Sequence, residues 1–298
     1  MPGGQLSFDN AVLAKAGESP GRRGSKAASP SRLSLLLGAA GRFFLDFHAR
    51  RSDQAAFLGR LFLSGAYGLG GDAARRRLMR GLILSQVWEI FSGSFFLLGI
   101  FGFMMGILWT VIWFGVFDNL AGAETLASLL IQVHLLEICP ILTTLAVTIA
   151  YGGSMTLQLC QMKSAGDFET LLSMGIPPEH VLAWPRLLAM ILSFPGLLLI
   201  MGVSSCLGAY WGIYKAIDLP LMEFISSLYL SVEGIEVLML GAKSLLIGVS
   251  LGFFQIYNAW LMPEGQGQGE APAMVRRGMK EAFVYSAMAS VLVTVLYG

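Results

Sequence analysis

An all-α integral membrane protein, with about five transmembrane helices preceded by N-terminal interfacial amphipathic helices, is the fold class this sequence predicts, on three observations. Of its 298 residues 55% are hydrophobic and only 13% charged, with a mean hydropathy of +0.67; a soluble domain carries roughly 25% charge. Uncharged runs long enough to cross a bilayer recur along the chain. The polar segments between them alternate between basic and acidic, as cytoplasmic and external loops do. A formal net charge of +1 gives no electrostatic case for a nucleic-acid partner.

Residues 1–31, rich in Gly, Ser, Pro and Ala, are expected to form a disordered cytoplasmic tail, because they lack the apolar surface to offset ordering entropy. No apolar run follows Met1, so a compact signal peptide is not expected. Residues 32–80 mix short apolar runs with Arg42, Asp46, Arg50, Arg51 and Arg60, a pattern for helices lying in the interface plane. Thirteen of the 20 Lys and Arg fall in the first 80 residues, which places the N-terminus inside.

The membrane-spanning body is drawn from 81 to 298. Its first run, Ile90 to Phe117, is uncharged and would measure about 42 Å as a helix. Gly102 and Gly106 form a GxxxG pair that either permits close helix approach or reflects the ordinary glycine content of membrane helices. Trp109, Trp113 and Phe114 suit an aromatic belt. Asp118 to Glu124 has no basic residue and belongs outside. A second run, Thr125 to Met162, is interrupted by His134 and Glu137.

The polar segment 163–186 follows. Ser164 and Asp167 have capping-box spacing, and Phe168, Leu171, Leu172 and Gly175 share one helical face over 164–175. Gly175 with Pro177 and Pro178 ends that helix. The segment reads either as a short helix on the membrane surface or as an amphipathic connecting loop. The third run is Leu187 to Tyr214, then an acidic external loop from Lys215 to Glu236. A fourth span, about Val237 to Leu261, carries Lys243 and a second GxxxG at Gly248 and Gly252. The loop Glu264 to Glu281, with Arg276, Arg277 and Lys280, returns inside, and a short last run, Ala282 to Gly298, leaves the C-terminus outside.

Little here points to chemistry. His48, His134 and His180 are too dispersed for a metal site, and Cys139, Cys160 and Cys206 sit in apolar runs as packing residues. His134 and Glu137 lie three apart and could pair, but no nucleophile accompanies them. Gly241-Ala242-Lys243-Ser244 imitates the end of a phosphate-binding loop without its first glycine. No catalytic, metal or cofactor site is expected in this chain, and any ATP and Mg would be used by a separate ATPase. Glu137, three residues before Pro140, is a functional candidate because an acid inside a span is costly; the alternative is a hydrated acid near the outer interface. Lys243 is the other intramembrane charge, near enough to an end to snorkel.

From Glu137 to Arg186 the chain resembles the MlaE/YrbE permeases of MCE-type lipid-transport ABC systems. The matching steps are Glu137-Ile138-Cys139-Pro140, Gly153-Ser154, Met162-Lys163, Met174-Gly175-Ile176-Pro177-Pro178 and Pro185-Arg186, with Lys243-Ser244 further on and a diffuse likeness from Arg80 to the end. It departs where the family carries charge, at Leu136, in Ala150-Tyr151-Gly152-Gly153-Ser154, in Leu157-Gln158-Leu159-Cys160 and in Ala165-Gly166-Asp167, so it is a divergent member. The resemblance implies a homodimeric permease of the bacterial inner membrane, partnered by ABC ATPases and an MCE-domain protein, moving phospholipid or a related lipid toward or from the periplasm and outer membrane. It implies an ATPase-coupling role for Lys163, Asp167, Phe168, Glu169, Leu171, Leu172, Gly175 and Arg186, and a lipid pathway past Trp109, Trp113, Glu137 and Pro140. An ATP-independent carrier or an assembly scaffold is the alternative, told apart by whether an ATPase co-purifies. A membrane enzyme ranks third for want of a polar constellation.

Overall fold

The computed structural model describes residues 51–65, 73–117, 129–217, 220–263 and 269–297, and every regular element among them is helical. The expected tail 1–31, most of the interfacial region and the loop after the first span lie outside them. We number the helices α1 (51–65), α2 (Ala73–Phe117), α3 (Leu130–Ile138, Cys139–Val147, Thr148–Gly152 and Gly153–Ser164 in sequence), α4 (Asp167–Ser173), α5 (Trp184–Ile217, entered by a π turn at Glu179–Ala183), α6 (Leu221–Ser231), α7 (Gly234–Trp260) and α8 (Ala271–Tyr297). Five of these, α2, α3, α5, α7 and α8, are long and apolar enough to cross a membrane.

Charged residues set the largest differences from the sequence-based expectation. The boundary drawn at 80/81 falls inside α2, which begins at Ala73 and carries Arg76, Arg77 and Arg80 in its first turns. Likewise Arg276, Arg277 and Lys280 belong to α8 rather than to a loop, so the last span has 27 residues. Long cationic side chains can leave the apolar stretch while their backbone stays helical. The acidic segment expected to form a loop contains α6, whose Met222, Tyr229 and Leu230 are exposed while Phe224 is buried against Tyr210.

The most extensive packing is α2 on α5. From Ile90 onward the buried positions on α2 are Ile90, Ser94, Leu98, Gly102, Gly106 and Thr110, a strict four-residue repeat with small residues in its second half. Small residues let backbones approach where no hydrophobic effect drives helices together. A Cβ on Gly106 would overlap the Ser205 carbonyl oxygen, and one on Gly208 that of Phe103. Thr110 closes the seam by donating to the Ala209 carbonyl at 3.1 Å. Both glycine pairs therefore work within the chain, since Gly248 and Gly252 of α7 seat against Leu187, Met190 and Ile191 of α5.

The α7/α8 seam is held by polar contacts instead. Ser250 and Ser286 lie 2.8 Å apart, and Asn258 Nδ2 donates to Glu281 at 2.8 Å. Thr156 of α3 lies 3.2 Å from Gln255 Oε1. At the same end α1 is fastened by Phe57, which is 2% exposed among the rings of Phe253, Tyr257 and Trp260.

Candidate functional site

Two regions concentrate the candidate residues, one at the turn between α3 and α5 and one inside the α3, α7 and α8 group.

At the turn, α3 ends at Ser164, whose hydroxyl bonds back to the Gln161 carbonyl at 3.0 Å, so Ser164 does not cap the next helix. Gly166 takes φ 83° and α4 runs only from Asp167 to Ser173, not from 164 to 175, without a side-chain cap. The capping box fails because the chain reverses through a left-handed residue that glycine alone adopts without penalty. The far end behaves as expected. Gly175 at φ 74° closes a Schellman motif in which Ile176 N–H reaches the Leu171 carbonyl and Gly175 N–H that of Leu172, both at 2.9 Å. Nothing lies within 4 Å of a Cβ at Gly166, so Gly166→Ala should cost about 1 kcal/mol through backbone conformation alone. Equilibrium unfolding in detergent checks this, and a neutral substitution would remove the left-handed turn from the account.

The apolar face of α4 is divided. Phe168 is 5% exposed and its ring lies 4.6 Å from that of Trp260, so it anchors α4 to the end of α7 and is not a docking contact. Lys163 does the same electrostatically, donating to the Trp260 carbonyl at 2.6 Å, where a cation suits the negative end of α7. Arg186 is also internal, donating to the Leu182 carbonyl and lying 3.8 Å from the Met162 sulfur. Phe168 and Arg186, expected at the coupling surface, are thus turned inward. What projects outward is Leu172, 60% exposed, with Met174 and Ile176 beyond it and the carboxylates of Asp167 and Glu169 beside them. Leu171 is half-buried.

Inside the bundle, Pro140 has no N–H to give the Leu136 carbonyl four residues back, and its ring crowds that carbonyl. The backbone ahead of it widens into π geometry, with the Cys139 N–H reaching the His134 carbonyl. The Leu136 carbonyl is then taken by another helix: Lys243 Nζ of α7 donates to it at 2.9 Å and to Glu137 Oε1 at 2.5 Å. Thr294 of α8 places its hydroxyl 2.9 and 3.0 Å from the two Glu137 oxygens. Lys243 is 0% exposed and does not snorkel, while the Glu137 side chain keeps 34% exposure. Neither a Glu137 and His134 pair nor a freely hydrated Glu137 is present. His134 instead meets Ser205 of α5 at 2.5 Å and lies against the Trp109 ring.

Trp109 and Trp113 pack on one another with their rings tilted by 53°, and Trp109 joins a small cluster with Leu130, Ala209 and Phe224. They do not line the cavity that the fold offers. That cavity, about 420 Å³, lies between α3, α5, α6 and α7, walled by Leu135, Cys139, Gly202, Cys206, Phe224 and Leu240. Its size falls within the range of small-molecule sites, and its wall is apolar. Sequence reasoning missed α6, Thr294 and the Trp260 carbonyl; only Thr294, a hydroxyl in an apolar run, left even a faint sign.

Residues 83–297 match the family model described as Permease MlaE. Curated relatives include a probable ABC transporter permease protein of Rickettsia felis, 23% identical over 214 residues that cover 70% of this chain and 82% of the relative. Probable ABC transporter permease proteins of Rickettsia prowazekii and Rickettsia typhi are 25% and 26% identical over 157 residues, covering 52% of this chain and 60% of each relative.

Proposed function

This chain belongs to the MlaE permease family and is a multi-pass membrane permease of ABC transporter type; from that premise we propose that it carries phospholipid or a related lipid between the bacterial inner membrane and the periplasm or outer membrane. In this reading it works as a homodimer beside an MCE-domain protein, with its N-terminus cytoplasmic and its C-terminus periplasmic. ATP and Mg are used by a partner ATPase, since no GxxxxGK[ST] occurs in the sequence. The acyl part of the lipid is assigned to the cavity under α6, whose wall is apolar. Glu137, with its partly exposed carboxylate, stands among the charged groups that a headgroup would meet.

The observation that carries the reading is the outward tip of α4. Leu172 near the end of α4 and Met174 and Ile176 just past it are exposed together, on an element fastened to α7 through Phe168 and Lys163 and carrying two exposed acids. Such a tip fits a groove on a soluble partner, where an apolar anchor supplies affinity and the rim charges supply orientation. Leu172→Asp should lower co-purifying ATPase activity roughly tenfold or more, while the variant permease unfolds at the wild-type temperature. Phe168→Asp should lose both the ATPase and the fold. Undiminished ATPase in the Leu172→Asp eluate would remove α4 as the docking element and return weight to an ATP-independent carrier.

A further inference from the structure

A second cavity, about 760 Å³, lies on the α4 side of the molecule, between the foot of α2 and the turn that follows α4. One wall carries Arg77, Leu78 and Leu82, the other Ile176, His180 and Val181. Leu78 is 72% exposed. Arg76 and Arg80 are exposed close to Arg77 along α2, and no carboxylate among the described residues pairs with Arg76, Arg77 or Arg80. Cationic groups and exposed leucines on one spanning helix, at the level where its apolar run begins, are complementary to a molecule that is anionic at one end and apolar at the other. Basic pockets between spanning helices take lipid headgroups for this reason. A protein partner docking on α4 would cover Leu172, Met174 and Ile176, of which only Ile176 also lines this cavity.

We propose that the cavity holds the headgroup of an anionic phospholipid from the leaflet on the α4 side, with its phosphate between Arg77 and His180 and an acyl chain along Leu78 and Leu82. The site is separate from the apolar cavity under α6. It rests on the membrane placement given above but not on the coupling role of α4. An occupant there bridges α2 to the turn that carries Gly175, so lipid charge would bear on how firmly that turn is held.

The full-length chain, purified without an ATPase, is given phosphatidylglycerol and phosphatidylcholine in equal amounts, and retained lipid is counted by native mass spectrometry. Wild type should retain phosphatidylglycerol preferentially, and Arg77→Gln should reduce that retention about fivefold. Arg77→Lys should keep it within twofold, and Arg277→Gln, on α8 and paired with Glu281, should leave it unchanged. Four results would overturn the site: no preference in wild type, unchanged retention in Arg77→Gln, equal loss in Arg277→Gln, or equal loss in Arg77→Lys. Displacement by inorganic phosphate alone would reduce it to a simple anion site and overturn the lipid assignment. If the ATPase, once added, expels the lipid and Arg77→Gln fails to bind ATPase in phosphatidylcholine, the cavity is a protein interface and the proposal falls. Because lipid retention is read without the ATPase, this outcome is independent of the Leu172→Asp result.

Discussion

Glu137→Ala should destabilise the protein more than Lys243→Met, although the two side chains form one ion pair. Removing one partner of a buried pair typically costs about 3–5 kcal/mol, because the other charge is left uncompensated. The exposures make this asymmetric. Lys243 is sealed at 0%, so without Glu137 its ammonium keeps only the Leu136 carbonyl. Glu137 is 34% exposed and still meets Thr294, so without Lys243 it can rehydrate. We therefore expect about 3–5 kcal/mol for Glu137→Ala and about 1–3 kcal/mol for Lys243→Met. Glu137→Gln combined with Lys243→Met should recover most of the loss. Unfolding midpoints of the four proteins in one detergent test this; equal single losses that simply add would show that the pair is not a unit. A transport assay on Glu137→Ala must accordingly be normalised to folded protein.

The second large effect is expected at the α2/α5 seam. Gly106→Ala drives a methyl carbon into the Ser205 carbonyl oxygen, and backbone cannot swing aside as a side chain can. The helices must separate, forfeiting the Thr110 to Ala209 bond and the packing along the repeat, a loss of about 2–3 kcal/mol or more. Gly93→Ala, with nothing within 4 Å, is the control and should be neutral or slightly stabilising. If both variants unfold together, the close approach of α2 and α5 is not what the packing implies.

The number of spans was legible because an uncharged run of bilayer length is hard to bury anywhere but in a membrane helix. Their ends were not, because charge was read as the end of a helix, whereas Arg76, Arg77, Arg276 and Arg277 are carried within the first turns of α2 and α8. Glu137 and Lys243 each stood out as a costly charge in an apolar run, yet nothing in either run names the other. Helical periodicity relates neighbours on one helix, and this pair is 106 residues apart. The amphipathic face of α4 was visible, but the same stripe would be written for a helix packing inward or outward. Only the structure divides Phe168, turned to Trp260, from Leu172, turned away. The tryptophans at 109 and 113 drew the lipid pathway by their chemistry, while the cavity is made by α6, hidden in a segment whose acids suggested a loop.

The span of 106 residues between Glu137 and Lys243 also has a meaning in time. Synthesis runs from the N-terminus, so α3 enters the membrane well before α7 exists, with its carboxylate unpaired and its Leu136 carbonyl unclaimed. Lys243 then arrives carrying an insertion cost of about 2.5–3.5 kcal/mol if it meets only lipid. Thr294 comes last, on the helix that completes the site. Assembly in the bilayer is therefore ordered by charge. The nascent chain has to keep α3 near the insertion machinery, with its acid hydrated, until α7 is delivered against it, and a chain truncated before α7 should be a substrate for membrane quality control.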